Sequence, residues 1–208
     1  VKTSHHILPI LYHHYGCITP SYASLFAVAK LAQPRRPSKD PVLPVLDIGS
    51  GNGYWSFLLR RFVAEMRGRG EKGVKEWKDL DVYAVDNGVS EYRFKWVRDT
   101  IPMDGVSFLR KGKLADGRPV DGGRGCVLLL VYPQATGGFT ESVMRAYKGD
   151  TIVVAGTQNG NGFTGFRDRV VDEWVGKNMA EFELVLRMPL PSFAGKDEAL
   201  FVFKRKGT

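Results

Sequence analysis

The chain of 208 residues carries a formal net charge of +8 and is 43% hydrophobic and 25% charged, the composition of one ordinary globular domain with a substantial core. No apolar run approaches the roughly 20 residues that cross a bilayer, and the first twenty residues hold scattered His, Tyr and Pro in place of a charged-then-apolar signal. Two cysteines, Cys17 and Cys126, do not suggest a disulfide framework. The expectation is a soluble intracellular protein of cytoplasm or nucleus with no membrane partner, and Val1 in place of Met leaves room for a removed targeting segment. Basic residues recur from Arg60 through Lys78, at Arg93, Lys95 and Arg98, and at Arg110, Lys111 and Lys113. Their potential attracts polyanions and makes nucleic acid a candidate partner, against the plainer reading that they serve solubility.

In chain order, Ser21 to Ala32 has apolar residues at helical spacing with Ser21 as N-cap, and Pro34, Pro37 and Pro41 follow as a connector. Residues 1–41 thus read as an N-terminal extension and 42–208 as the main domain. Val42 to Ile48 reads as a buried strand, followed by a glycine turn and a helix over Tyr54 to Glu65. Gly68 to Asp79 is charged and reads as a surface insertion before a second strand, Asp81 to Val85. A helix from about Ser90, a third strand at Lys95 to Arg98 and a short helix or strand at Gly105 to Arg110 come next. Gly112 to Gly125, with five glycines, reads as a loop before the apolar strand Val127 to Val131. A helix over Thr140 to Tyr147, a strand Thr151 to Ala155, a glycine-rich loop and a helix over Phe166 to Lys177 follow, then strands Glu183 to Met188 and Ala199 to Lys204. Alternating strands and helices predict an α/β, Rossmann-like, doubly wound and mostly parallel seven-stranded sheet with helices on both faces, and the absence of a helix between the last two strands makes one of them antiparallel.

The motif with most chemistry is Asp47-Ile48-Gly49-Ser50-Gly51-Asn52-Gly53, where a buried strand meets a helix. Glycines allow a tight turn and close approach of a ligand, and the helix start presents free N–H groups. A dinucleotide fingerprint spaces its glycines differently, and a carboxylate two residues before the first glycine suits a cation better than a phosphate. These residues resemble the first motif of class I methyltransferases, which bind S-adenosylmethionine. The resemblance implies that Asp47 holds the ammonium end of the methionine moiety with Gly49, Ser50, Gly51, Asn52 and Gly53 against the cofactor, and that Asp86-Asn87, after the second strand, holds the ribose hydroxyls. Asp99 and Asp104 compete for the position near adenine, with Asp104 preferred. The chain is similar to stand-alone methyltransferase-like proteins of eukaryotes.

Tyr132-Pro133-Gln134 follows the apolar strand and is expected to face the transferable methyl group, with Tyr132 and Pro133 on the substrate. Amino-group methyltransferases of this family carry a polar acceptor where Tyr132 stands, so adenine methylation in that manner is not expected. Tyr132 either stacks on a planar substrate or packs. In the loop Gly156 to Gly165, Gln158 and Asn159 are the candidates for substrate contact, and Gln158 joins Tyr132 as a catalytic candidate, the alternative being a glycine-rich turn. His13 and Cys17 would share a helix face as half a zinc site, but no second ligand pair follows His5-His6 and His13-His14, so no metal is expected. Tyr12 and Tyr15 are placed in a lid over the cofactor entrance. The expected function is methyl transfer to RNA or protein ahead of a small molecule, the alternative an inactive methyltransferase-like interaction module; a nicotinamide oxidoreductase is disfavoured by the glycine spacing and Asp47.

Overall fold

The computed structural model describes residues 4–36, 39–90, 94–136, 138–159, 164–193 and 196–207. Its elements are α1 (Ser4–Tyr15), α2 (Tyr22–Ala32), β1 (Val45–Ile48), α3 (Tyr54–Gly68), β2 (Val82–Asp86), β3 (Ile101–Pro102), α4 (Gly105–Lys111), β4 (Val127–Val131), α5 (Phe139–Ala146), β5 (Thr151–Thr157), α6 (Val171–Asn178), β6 (Phe182–Pro189) and β7 (Glu198–Arg205). The strands form a seven-stranded sheet in the order β3-β2-β1-β4-β5-β7-β6. β1 to β5 run parallel, and β7 lies antiparallel to both β5 and β6. Strand order reverses between β1 and β4, which opens a crevice beyond their carboxyl ends.

Side chains alternate along the central strands and divide the core in two. Leu46, Ile48, Leu128, Leu130, Ile152 and Val154 pack on the face covered by α4, α5 and α6. Val45, Val127, Leu129, Val153 and Ala155 pack on the other, with α2 and α3. Both faces of a parallel strand are thereby dry, so β4 reads as a continuous apolar run and β1 as one broken only by Asp47. α2 is part of this core: Leu25, Val28, Ala29 and Ala32 join the second cluster, and Ser21 caps the helix in a reciprocal capping box with Ser24.

The third strand is not Lys95–Arg98 but Ile101–Pro102, paired with Val85 and Asp86. The apolar residues around Lys95 serve a different end. Val97 is buried against Gly53, and the Trp96 ring lies 5.0 Å from Tyr54 and 4.9 Å from Phe57. Of the helix expected from Ser90, residues 91–93 lie outside the described ones, and Phe94 to Thr100 is not helical. α6 begins at Val171 and not at Phe166, whose ring stacks on Trp174 at 4.5 Å. The helix that would align His13 with Cys17 ends at Tyr15, and Gly16 turns the chain at φ +79°.

Tyr147, just past α5, ties the starts of β4 and β5 together. Its buried hydroxyl lies 2.6 Å from the Cys126 carbonyl oxygen and 2.8 Å from that of Thr151, and accepts the Thr151 N–H at 3.2 Å. Tyr147→Phe is expected to lower unfolding free energy by about 1–3 kcal/mol with an unchanged denaturant slope, as read by urea titration.

Candidate functional site

β1 delivers its chemistry because the chain must leave the sheet abruptly. The Gly49 and Ser50 amides both donate to the Val85 carbonyl, at 2.8 and 3.0 Å, which bends the backbone away from the strand line. Gly53, the N-cap of α3, has φ +78°, and a Cβ there would stand 2.3 Å from Val97 Cγ2. A side chain is thus opposed by both conformation and space.

A cleft of about 220 Å³ opens over this turn at the carboxyl ends of β1, β2 and β4. Asp47, Asp86 and Asp104 all line it, and no Lys or Arg is among its described lining residues. In a chain of net charge +8, the charged described residues lining the cleft are all acidic.

Asp47 is 1% exposed. Its Oδ2 accepts the Ser56 hydroxyl at 2.6 Å, while Oδ1 has no partner among the described residues. Burial pushes its carboxyl up to about 7, against the Ser56 hydrogen bond, which pulls it down. Ser50 Oγ is a second buried oxygen without a partner there. Asp86 stands at the end of β2, accepting the Gly51 N–H at 2.9 Å and the Gly88 N–H at 2.7 Å. Asn87 beside it lines the cleft and turns the chain by accepting the Val89 N–H. Asp104 caps α4 through the Ser107 N–H at 2.9 Å, and hydrogen bonding from Ser107 holds its carboxyl below the usual range. Asp99 is elsewhere, paired with Arg60 at 2.8 Å.

Asn52 lines the cleft but spends its side chain on another task. Its Nδ2 donates to the His14 carbonyl at 2.9 Å and its Oδ1 accepts the Tyr54 N–H at 3.1 Å. Trp55 Nε1 donates to Ile18 O, and Trp96 Nε1 to His14 O. Three side chains thereby fasten the N-terminal segment across one end of the cleft, where Tyr15, Gly16 and Cys17 form a wall. Tyr12 instead meets Phe193, ring centroids 5.3 Å apart.

At the other end Tyr132 and Pro133 line the cleft, with Gln134. Tyr132 has φ +47°, a left-handed conformation strained for an aromatic residue. Lys196 Nζ lies 3.4 Å from its hydroxyl and 5.7 Å from its ring centroid. Gln158 and Asn159 do not line the cleft. β5 runs on to Thr157 against Glu198, which carries Gln158 toward the hairpin, where Nε2 donates to Asp197 at 2.6 Å and Oε1 accepts from Arg187 at 3.0 Å. Gly160 to Phe163 of that loop lie outside the described residues. Sequence reasoning passed over Glu198, a buried carboxylate at the start of β7 whose only signal was an acid opening an apolar run. Among the described residues no group of three or more His, Cys, Asp or Glu side chains is placed to hold a metal ion, and no helix is long and apolar enough to cross a membrane.

No protein-family model matches the chain, and no curated protein does. Solved structures do. Burkholderia thailandensis 1,6-didemethyltoxoflavin-N1-methyltransferase, with bound 1,6-didemethyltoxoflavin and S-adenosylhomocysteine, aligns over 98% of this chain and 84% of its own at TM-score 0.50 and 14% identity. The fold is that of a Rossmann-like methyltransferase. Two further matches have lower scores: Synechocystis PCC 6803 magnesium protoporphyrin IX methyltransferase with bound S-adenosylmethionine, at 0.48 and 9% identity over 99% of this chain and 85% of its own, and M. capricolum TrmK with S-adenosylhomocysteine, at 0.46 and 12% over 88% and 67%.

Asp47 carries a pH signature. Its folded-state value lies above the ordinary 3.8, so between about pH 4 and 7 the native state binds more protons than the unfolded chain, and stability falls as pH rises through that window. Relative to Asp47→Asn, the wild type is expected to lose on the order of a few kcal/mol from pH 4 to a plateau above pH 7, measured by urea unfolding at stepped pH. A pH-independent difference between the two proteins would show that Asp47 is not the titrating group.

Proposed function

We propose that the chain is an S-adenosylmethionine-dependent methyltransferase. The observation that carries this reading is an acidic cleft at the strand-order switch point, floored by two buried oxygens without partners, Asp47 Oδ1 and Ser50 Oγ. Pyrophosphate would meet three carboxylates and no cation there, whereas an ammonium or sulfonium gains from them. The residues therefore fit this cofactor. Asp47 would hold the amino-acid ammonium, with Gly49 to Gly53 against the cofactor; Asp86 and Asn87 would take the ribose hydroxyls, and Asp104 would lie near the adenine. When bound, the cofactor supplies an activated methyl group, so the protein's task is to position the acceptor and exclude water. Tyr132 and Pro133 form the acceptor side of the cleft. Gln158 and Asn159 lie off the cleft and play no direct part in this reading.

For the acceptor, RNA or protein stays ahead of a small molecule on the strength of the basic surface. Retention on RNA that falls steeply with salt, beyond that of a charge-matched control protein, is expected on this view; equal retention of the two would leave the charge to solubility. The second reading, a binding module that takes the cofactor without turnover, draws on Tyr132 standing where a polar acceptor is usual.

Calorimetric titration tests the cofactor. Micromolar binding of S-adenosylmethionine and none of NAD is expected, with Asp47→Ala and Asp86→Ala each weakening affinity about tenfold or more. Because a bound cation favours ionised Asp47, wild-type affinity is expected to rise between about pH 6 and 8 and that of Asp47→Asn to stay flatter. Unchanged affinity in both alanine variants would overturn the site assignment.

A further inference from the structure

Beside the cofactor cleft the fold gathers aromatic rings that belong to neither half of the core. Trp96 is their hub, with ring centroids 4.9 Å from Phe57, 5.0 Å from Tyr54, 5.0 Å from Phe94 and 6.0 Å from Tyr15. None of the five packs in either buried cluster. Phe94 is 41% and Tyr15 36% exposed, and the other three are half-buried. A soluble chain that keeps a contiguous group of large rings at its surface exposes a contact area.

The rings are held in place. Trp96 Nε1 donates to His14 O and the Trp96 N–H to Asn52 O at 2.8 Å, while Val97 beside it fills the space over Gly53. Fixed rings lose little freedom on receiving a flat partner. Tyr54, Phe57 and Arg61 share one face of α3, and Tyr15 and Tyr54 also line the cleft, so the patch runs from the cleft wall out to Arg61.

Cations lie among the rings. Arg61 Cζ stands 5.1 Å from the Phe57 ring centroid, and Lys95 and Arg98, on either side of Trp96 and Val97, are exposed. Acids close to them in sequence are engaged elsewhere, Asp99 with Arg60 and Glu65 with Arg69. Among the described residues none of these three cations has a carboxylate partner.

We propose that this patch binds single-stranded RNA, with bases stacked on the rings around Trp96 and phosphates against Arg61, Lys95 and Arg98. Cations without partners call for a polyanion, and the rings call for one whose base faces are open, which a duplex hides. RNA is the nucleic acid that presents such unpaired bases in its loops and ends. The carboxylates of the cleft repel a sugar–phosphate chain, which keeps the strand on the patch outside. A lipid surface is less well served, because Trp96 is tied by its indole N–H and ringed by neighbours and so is not free to dip into a bilayer. The inference rests on the methyltransferase reading only in making the strand an acceptor; the binding itself does not.

The test is fluorescence anisotropy on the full chain with labelled oligoadenylate of about twelve nucleotides, beside an abasic strand of equal charge, the duplex with oligouridylate and the DNA counterpart. The variants are Phe94→Ala, Lys95→Ala with Arg98→Ala, and, as a distant basic control, Arg110→Ala with Lys111→Ala. Oligoadenylate is expected to bind about tenfold or more tighter than the abasic strand or the duplex, and Phe94→Ala to weaken it about fivefold or more with an unchanged melting temperature. The Lys95 and Arg98 pair is expected to lower the slope of log affinity against log salt by about one, the control pair by less. Equal binding of the abasic strand or the duplex would overturn the proposal, leaving only diffuse charge, as would an equal effect of the control pair. Tighter binding of the DNA counterpart would overturn the assignment to RNA. Sedimentation with phosphatidylserine vesicles that is lost in Phe94→Ala, without preference for oligoadenylate, would assign the patch to a lipid surface instead. All measurements are made with and without saturating S-adenosylhomocysteine. Failure of that ligand to bind would count against the methyltransferase reading, and the preference of the cofactor-free protein for oligoadenylate would still decide the patch.

Discussion

A carboxylate sits in the driest layer of the molecule, and much of the rest is arranged around it. Asp47 belongs to the central strand, flanked by parallel neighbours on both sides, where every other position is apolar. One oxygen is satisfied by Ser56 from the first turn of α3, so the helix that the glycine turn launches also shelters the acid. The other oxygen is left over. Burial without full satisfaction raises its carboxyl to about 7, and a cation in the cleft would favour the ionised form.

The distribution of charge reinforces this. An excess of basic groups over the whole surface would draw anions everywhere, yet the crevice at the strand-order reversal is lined by acids alone among its charged described residues. A cationic small molecule is favoured inside, and a polyanion is favoured around the outside.

Much of the framework was legible because it is written in local patterns. Leu46 and Ile48, either side of Asp47, and Leu128 and Leu130 sit in short apolar runs, and such runs have few alternatives to a buried strand. The acid before Gly49 and the acid ending β2 were visible for the same reason: each breaks an apolar run at its carboxyl end. What escaped depends on partners distant in sequence. Lys95 to Val97 has strand-like residues, but Val97 fills the space left by the missing side chain of Gly53 and Trp96 packs on Tyr54 and Phe57, instead of pairing. Gln158 looks like a ligand-binding amide until Arg187 and Asp197, from the hairpin, occupy both of its ends. Glu198 is buried by a loop that folds back through Ser192, and no local periodicity encodes that return.

The fastening of α1 bears on the order in which the chain assembles. The carbonyls at its C-terminal end, which no helix can satisfy by itself, receive donors from Asn52 and Trp96, and the segment just beyond it receives one from Trp55. All three lie far downstream, on or beside the glycine turn and the segment packed against it. A helix whose end is completed by such distant groups gains them only once that turn has formed, because the loop between must close first. α1 is thus among the last parts to be secured, and the wall of the cleft is finished after its floor.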